Sequence, residues 1–189
     1  GWMQTLAALA VALLSPVLGA VADRAGRRRL MLALCTIGTA LFTALVWFAE
    51  PRPEWALWTL LCVGLATVFF EVGTVFYNAM LPGLVPPERM GRLSGLAWGL
   101  GYAGGLVCLL LALFVLVRPD PSPLGLDRAQ AEHVRATAPL VAAWLLLFSA
   151  PVLLLLPDPS PAPGTRRPGW TDAAREGLAE IAAAVSILR

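Results

Sequence analysis

The stretch that decides the fold is Ser15–Arg29, which reads SPVLGAVADRAGRRR. It passes from apolar residues into four arginines, one aspartate and one glycine within the seven positions 23–29. A second long apolar run starts directly afterwards, at Leu30. A basic loop between two apolar runs is typical of the cytoplasmic side of a membrane protein. The question is whether this loop only fixes orientation or also takes part in function.

Composition places the whole chain in the membrane class. Its 189 residues are 58% hydrophobic and 14% charged, with a mean hydropathy of +0.74. Soluble domains have about 45–50% apolar and about 25% charged residues. The net charge is only +2, but all 14 basic residues are arginines, and they cluster between apolar runs. Such clustering indicates membrane topology rather than nucleic-acid binding.

Five apolar runs are long enough to cross a bilayer, which takes about 20 residues of helix. They occupy residues 1–22, 30–49, 55–81, 93–117 and 136–156, and Glu71 is the one charged residue inside them. Backbone groups in lipid must be satisfied within the segment. The sequence therefore predicts an all-α membrane bundle over residues 1–156.

The connections between the runs predict the orientation. Loops 23–29 and 82–92 and the tail after residue 157 hold ten arginines, whereas loops 50–54 and 118–135 hold four. The positive-inside rule makes the side with ten arginines cytoplasmic. This orientation puts four tryptophans at the outer interface, Trp2, Trp47, Trp55 and Trp58. We expect a multi-pass protein of the cell (inner) membrane.

The C-terminal part differs from the rest. Residues 157–170 are proline-rich and predict an extended cytoplasmic linker. Residues 171–189 place apolar side chains on one helical face and predict an amphipathic cytoplasmic helix at the membrane surface. The start at Gly1 without a polar lead-in and the abrupt end at Arg189 suggest a piece of a longer protein.

Glu71 is the strongest candidate for a functional role. An ionisable residue in a spanning helix is costly and almost always faces a bundle interior or a wet cavity. Asn78 lies seven residues later on the same helical face, and Tyr77 is turned from it by about 100°. We interpret Glu71 as a proton carrier or a contact for a substrate amine. The alternative is a carboxyl group that is hydrogen-bonded to a neighbouring helix for packing alone.

Glycines in the fourth run predict a close helix contact. Gly95 and Gly99 are four residues apart, as are Gly101 and Gly105, and small residues at that spacing let helix backbones approach. Static packing and an interface that slides during a conformational cycle both fit this pattern.

The sequence contains few signs of a metal site, a disulfide bond or an enzyme active site. Cys35, Cys62 and Cys108 lie in apolar runs without metal or disulfide spacing, and the single histidine, His133, has no neighbouring ligand. We therefore expect no metal and no other cofactor. No carboxylate cluster, nucleophile motif or phosphate-binding loop indicates an enzyme.

The opening stretch resembles the signature between helices two and three of the major facilitator superfamily. That signature reads Gly, three residues, Asp, a basic residue, any residue, Gly and two basic residues. The matching positions are Gly19, Asp23, Arg24, Gly26, Arg27 and Arg28. The resemblance implies that the five runs are helices two to six of the N-terminal bundle, without the first helix and the C-terminal half of the same protein. It also implies that the motif is a cytoplasmic gate and that Glu71 lies beside a central cavity.

A second resemblance narrows the function. Residues 76–82, 87–95 and 99–102 are similar to the vacuole-effluxer-like branch of that superfamily. The branch suggests efflux and amino acids as substrates. Tyr102 after Gly101 departs from the superfamily's antiporter signature. We expect a secondary active transporter for a small polar metabolite, working by alternating access and coupled to protons. Its partners would be the lipid bilayer and a small-molecule substrate, with no nucleic acid. The alternative is a non-transporting membrane scaffold or sensor of the same fold.

Overall fold

A computed structural model describes residues 28–80 and 85–155 of the chain. Within these ranges the chain forms only helices and connections, in the order α1 Arg28–Leu45, α2 Ala56–Met80, α3 Pro87–Leu111, α4 Glu132–Arg135 and α5 Thr137–Leu155. Short 3₁₀ turns, Val46–Phe48 and Pro53–Trp55, follow α1 and precede α2. The predicted run 1–22, the linker 157–170 and the helix 171–189 lie outside the described residues.

The all-α membrane fold is confirmed for the described part of the chain. Four helical segments there are long and apolar enough to cross a bilayer, namely Arg28–Phe48, Pro53–Met80, Pro87–Val117 and Glu132–Leu155. Most large apolar side chains on these segments point outward. This arrangement suits helices that face lipid or further helices, because lipid tails are as apolar as leucine.

Helix α3 begins at Pro87, earlier than the apolar run at Leu93 indicates. Proline is common in the first turn of a helix, where its missing N–H has no partner to lose. Glu88 in the same turn suits the positive end of the helix dipole. The polar residues after Pro87 therefore belong to the helix rather than to the loop.

The end of α3 departs from a regular α-helix. Residues Ala112–Val117 form a π-helical turn, in which the Arg118 N–H donates to the Leu113 carbonyl at 2.9 Å. Ala112 and Leu116 are buried in this turn. A single wide turn of this kind has no signal in apolar periodicity, so the sequence predicted one uniform helix.

Two glycines bring α1 and α2 close together. A Cβ added at Gly38 would lie 2.6 Å from Cδ1 of Phe69, and one at Gly73 would lie 3.2 Å from Cβ of Cys35. The Phe69 ring also stacks on Phe42, with ring centroids 5.7 Å apart. Helix α1 packs along α2 on one side and along α5 on the other, whereas α3 makes few contacts with either. The three helices α1, α2 and α5 therefore form the packed unit.

The core of this unit lies at one end of the bundle. Its buried residues are Leu32, Cys35, Val72, Phe76 and Met80, with Val152 and Leu153 of α5 packed against them. Phe76 is the most enclosed, at 2% exposure. The start of α1 and the ends of α2 and α5 meet here, so the core is at the side that the arginine count predicts to be cytoplasmic.

At the opposite end, loop side chains satisfy the last carbonyl groups of the helices. Arg135 donates from Nε to the Trp47 carbonyl at 2.7 Å, and its guanidinium lies over the Trp47 ring. Arg128 donates from Nη2 to the Val117 carbonyl at 2.8 Å. Because the last four carbonyls of a helix have no partner within it, these contacts hold the connections against the helix ends.

The close approach of α1 and α2 gives the first prediction. Gly38→Ala places a methyl group against the Phe69 ring, so we expect it to destabilise the protein by about 1–3 kcal/mol, as overpacking does. The matched control is Gly91→Ala in α3, where an added Cβ meets no described atom within 4 Å. That change should be neutral or stabilising, because alanine favours a helix over glycine. Thermal unfolding of the full-length protein in detergent measures both, and an unchanged midpoint for Gly38→Ala would contradict the packing.

Candidate functional site

Helix α2 presents a polar stripe on an otherwise apolar surface. Thr67, Glu71, Thr74 and Asn78 recur at spacings of four, three and four, which places them on one face. Glu71 and Asn78 are exposed, on the side away from the buried Val72. Within the described ranges, neither side chain makes a hydrogen bond or an ion pair. The purely structural reading, a carboxyl group bonded to a neighbouring helix, therefore finds no support among these residues.

The stripe borders a cavity of about 400 Å³, which we call the central cavity. This volume is in the range of small-molecule sites. Its wall comes from all four long helices: Leu32, Cys35, Thr36 and Thr39 of α1, Phe69, Phe70, Glu71, Gly73, Thr74 and Tyr77 of α2, Trp98 of α3, and Leu145 and Ser149 of α5. The structure thus brings the predicted Glu71 and Tyr77 together in one wall. Asn78 is on the same helix face but does not line this cavity.

The threonine and serine hydroxyl groups around the central cavity all donate to their own helix. Thr36, Thr39, Thr74 and Ser149 each donate a hydrogen bond to the carbonyl four residues earlier, at 2.8, 2.9, 3.0 and 2.6 Å. A hydroxyl has one proton to donate but two acceptor lone pairs. With its proton committed, each group can only accept from a ligand. Together with the Glu71 carboxylate, they make the wall rich in acceptors.

Charge in the wall has one sign. Glu71 is the charged residue among those that line the central cavity, and no arginine or histidine of the described residues joins it. The strong donors left in the wall are the Tyr77 hydroxyl and the Trp98 indole N–H. The described wall therefore suits a cation or a proton better than an anion.

Sequence reasoning missed most of the groups around Glu71. The hydroxyl residues Thr36, Thr39 and Ser149 lie in other apolar runs, and Trp98 lies in the glycine-rich run. Isolated hydroxyls inside spanning runs were the available signal. Which of them face Glu71 depends on how the helices pack, and a single sequence does not contain that information.

Of the residues of the predicted gate motif, Arg28 is the one that lies within the described ranges. Arg28 is the first residue of α1, and its Nη1 donates to the Ala79 carbonyl in the last turn of α2 at 2.6 Å. A guanidinium suits the negative end of a helix dipole. Arg28 is thereby joined to the helix that carries Glu71. Gly19, Asp23, Arg24, Gly26 and Arg27 lie outside the described residues.

The predicted glycine interface finds no neighbour among the described helices. A Cβ added at Gly95, Gly99, Gly101 or Gly105 would meet no described atom within 4 Å. Instead, the close helix approach occurs at Gly38 and Gly73, which have no glycine four residues away. Spacing alone therefore did not identify which glycines pack against a helix in this part of the chain.

Comparison with known proteins agrees with this architecture. The family model of the Major Facilitator Superfamily matches residues 1–184. The chain is 26% identical over 153 residues to an uncharacterized MFS-type transporter, YxiO, of Bacillus subtilis (strain 168). That match covers 81% of this chain but only 35% of the relative's length. No solved structure gives a significant match.

The contact of Arg28 with α2 gives the second prediction. Arg28→Ala removes a charge-assisted hydrogen bond, and hydrogen bonds to charged groups contribute about 1.5–3 kcal/mol. We expect a lower unfolding midpoint for the full-length protein in detergent. Arg92→Ala is the matched control, because Arg92 is exposed on α3 and has no described partner. Equal midpoints for the two variants would show that the Arg28 contact carries no stability.

Proposed function

Because the chain belongs to the major facilitator superfamily, we propose that it forms part of a secondary active transporter. The transporter moves a small polar metabolite across the membrane by alternating access. The observation that carries this proposal is the exposed Glu71 carboxylate in the wall of a cavity between apolar, membrane-length helices. A charged side chain is costly to place inside the bilayer, so such residues are rare in spanning segments and usually have a function.

Glu71 has two roles in this proposal. It carries the coupling proton, and in its charged form it contacts a positive group of the substrate. Tyr77, the phenol in the same wall, donates a hydrogen bond to the substrate, and Asn78 extends the polar face toward the end of α2. The acceptor-rich hydroxyls support both roles, since a protonated carboxyl and an ammonium are donors.

The gate motif controls access rather than recognition. In the proposed cycle, Asp23 and the arginines after it form a cytoplasmic latch between the two halves of the protein. Gly26 allows the tight reversal that the latch requires. Support comes from Arg28, whose bond to Ala79 joins the motif to the helix of Glu71. Helix α2 would then connect the latch with the central cavity, so that a movement at one reaches the other.

We also propose a place in the superfamily and in the cell. The stretches 76–82, 87–95 and 99–102 favour the vacuole-effluxer-like branch, with amino acids as the substrate class and efflux as the direction. The glycines of α3, from Gly95 to Gly105, would pack against helices outside the described residues. The arginine distribution favours the inner membrane with residues 23–29, 82–92 and the tail in the cytoplasm.

Topology gives the third prediction, which is tested by cysteine labelling. In a background that lacks Cys35, Cys62 and Cys108, single cysteines replace the exposed residues Pro51 and Glu88. A membrane-impermeant maleimide should label Pro51→Cys in intact cells and Glu88→Cys only after permeabilisation. The reverse pattern would overturn the proposed orientation.

The fourth prediction concerns coupling. In proteoliposomes of the full-length protein, Glu71→Gln should abolish uptake or efflux driven by a pH gradient, because the amide has the size of the carboxyl group but does not ionise and so cannot carry a proton. The measurement is the transport rate of each metabolite in a mixture, with and without the pH gradient. The matched control is Glu88→Gln, an exposed glutamate in the first turn of α3, which should transport like the wild type.

The scaffold alternative makes the opposite prediction. If the protein keeps the fold without the transport cycle, apolar replacement of Glu71 and Asn78 together leaves the cell's phenotype unchanged. A separate outcome bears on the transporter itself. Proton-driven transport by Glu71→Gln at the wild-type rate would contradict the proposed role of Glu71 as the proton carrier.

A further inference from the structure

A second, smaller cavity of about 270 Å³ adjoins the central one. We call it the side cavity, and its wall consists of Tyr77, Ala97, Trp98, Gly101 and Tyr102. Tyr77 and Trp98 line both cavities. Three aromatic side chains, one from α2 and two from α3, therefore stand directly beside the compartment that contains Glu71.

The rings have little to cover them within the described residues. Trp98 is 65% exposed and Tyr102 is 69% exposed, and their ring centroids are 5.9 Å apart with a tilt of 34°. Gly101 lies between them in sequence and adds no side chain to the wall. Within the described residues, the two side chains are consequently open to a ligand that reaches from one cavity into the other.

The aromatic faces and the carboxylate share one electrostatic preference. The face of an aromatic ring is negative and attracts cations, most strongly for tryptophan. Aromatic cages are the recurrent way in which proteins recognise quaternary ammonium groups. The Glu71 carboxylate adds a negative charge. The Thr36 and Thr74 hydroxyls, whose protons are bonded to backbone carbonyls, add acceptor lone pairs but no free donor.

The same wall is unfavourable for a substrate carboxylate. No cationic side chain of the described residues lines either cavity. A zwitterion would therefore place its positive end here and leave its negative end to another part of the protein. A compact primary ammonium is strongly hydrated, so moving it against apolar side chains such as Phe69 and Phe70 is costly. Methyl groups on the nitrogen lower that cost and fit the apolar lining.

We propose that the site formed by Glu71, Tyr77, Trp98 and Tyr102 binds the methylated ammonium group of an organic cation. This inference rests on the proposed function, because it takes the central cavity as the substrate path. It departs from the amino-acid class that the branch suggests by naming organic cations, and it assigns Trp98 and Tyr102 as determinants of specificity.

The test is equilibrium binding of radiolabelled choline to the purified full-length protein in detergent. Two competitors each keep one property of this probe. The isostere in which a quaternary carbon replaces the nitrogen keeps its shape without the charge, and ethanolamine keeps the charge as a primary ammonium without the methyl groups. We expect both to compete at least about tenfold more weakly than unlabelled choline, the neutral isostere because it makes no cation–π contact and ethanolamine because its primary ammonium is more strongly hydrated. Equal competition by the neutral isostere, or tighter binding of ethanolamine, would overturn the proposal.

Variants locate the site. Trp98→Leu should weaken choline binding by about tenfold, whereas Trp98→Phe keeps an aromatic face and should retain most of it. Trp144→Leu is the matched control, because Trp144 lines a different cavity with Cys108 and Val141. Thermal midpoints establish that each variant is folded. Equal loss of binding in Trp98→Leu and Trp144→Leu would contradict the assigned position.

The outcomes for binding and for transport are separable. Gradient-driven transport that requires Glu71, together with no detectable choline binding, would overturn the ammonium site and leave the transporter proposal intact. Choline binding that depends on Trp98, without flux of choline or any metabolite in the mixture, would overturn the transport function and leave the ammonium site intact.

Discussion

The contact between α1 and α2 is the constraint on which the rest of the described structure depends. At Gly38 and Gly73 the two helices come so close that neither position has room for an unhindered side chain. In lipid there is little hydrophobic drive to bring helices together, so van der Waals contact at small residues supplies much of the association energy. This approach sets the angle at which α2 presents its polar stripe. It also lets α5 pack against the other side of α1 and complete the wall around Glu71.

Hydrogen bonding at the helix ends is the second organising principle. Arg28 reaches the last turn of α2, Arg135 the end of the turn after α1, and Arg128 the end of the wide turn after α3. A helix end in or near lipid leaves carbonyl groups that water serves poorly. The planar guanidinium, with five N–H donors, meets several such groups at once, as Arg128 does with the Val117 and Pro119 carbonyls. The use of arginine throughout the loops therefore has a structural reason beyond membrane orientation.

Much of the fold could be predicted from the sequence, because its strongest signal is long apolar runs in a chain with few charges. Within the described residues, each of the runs predicted at 30–49, 55–81, 93–117 and 136–156 forms a helix, with ends that differ from the predicted ones. The shifts occur where polar residues belong to a helix, as at Pro87, or where hydrogen bonding changes inside one, as at Ala112. Glu71 was identifiable because a lone charge in an apolar run is conspicuous. Its surroundings were not, since Thr36, Ser149 and Trp98 share a cavity wall with it only through packing between helices distant in sequence.

The arginine contacts at the helix ends also do not depend on a change of protonation. A guanidinium keeps its charge across the whole physiological pH range, so the ties at the helix ends neither form nor break when the membrane becomes energised. Histidine at these positions would change its charge near neutral pH, so the same contacts would depend on proton concentration. The Glu71 carboxylate lies apart from these ties, in the wall of the central cavity. If Glu71 carries the coupling proton, as proposed, its protonation would leave these ties at the helix ends unchanged.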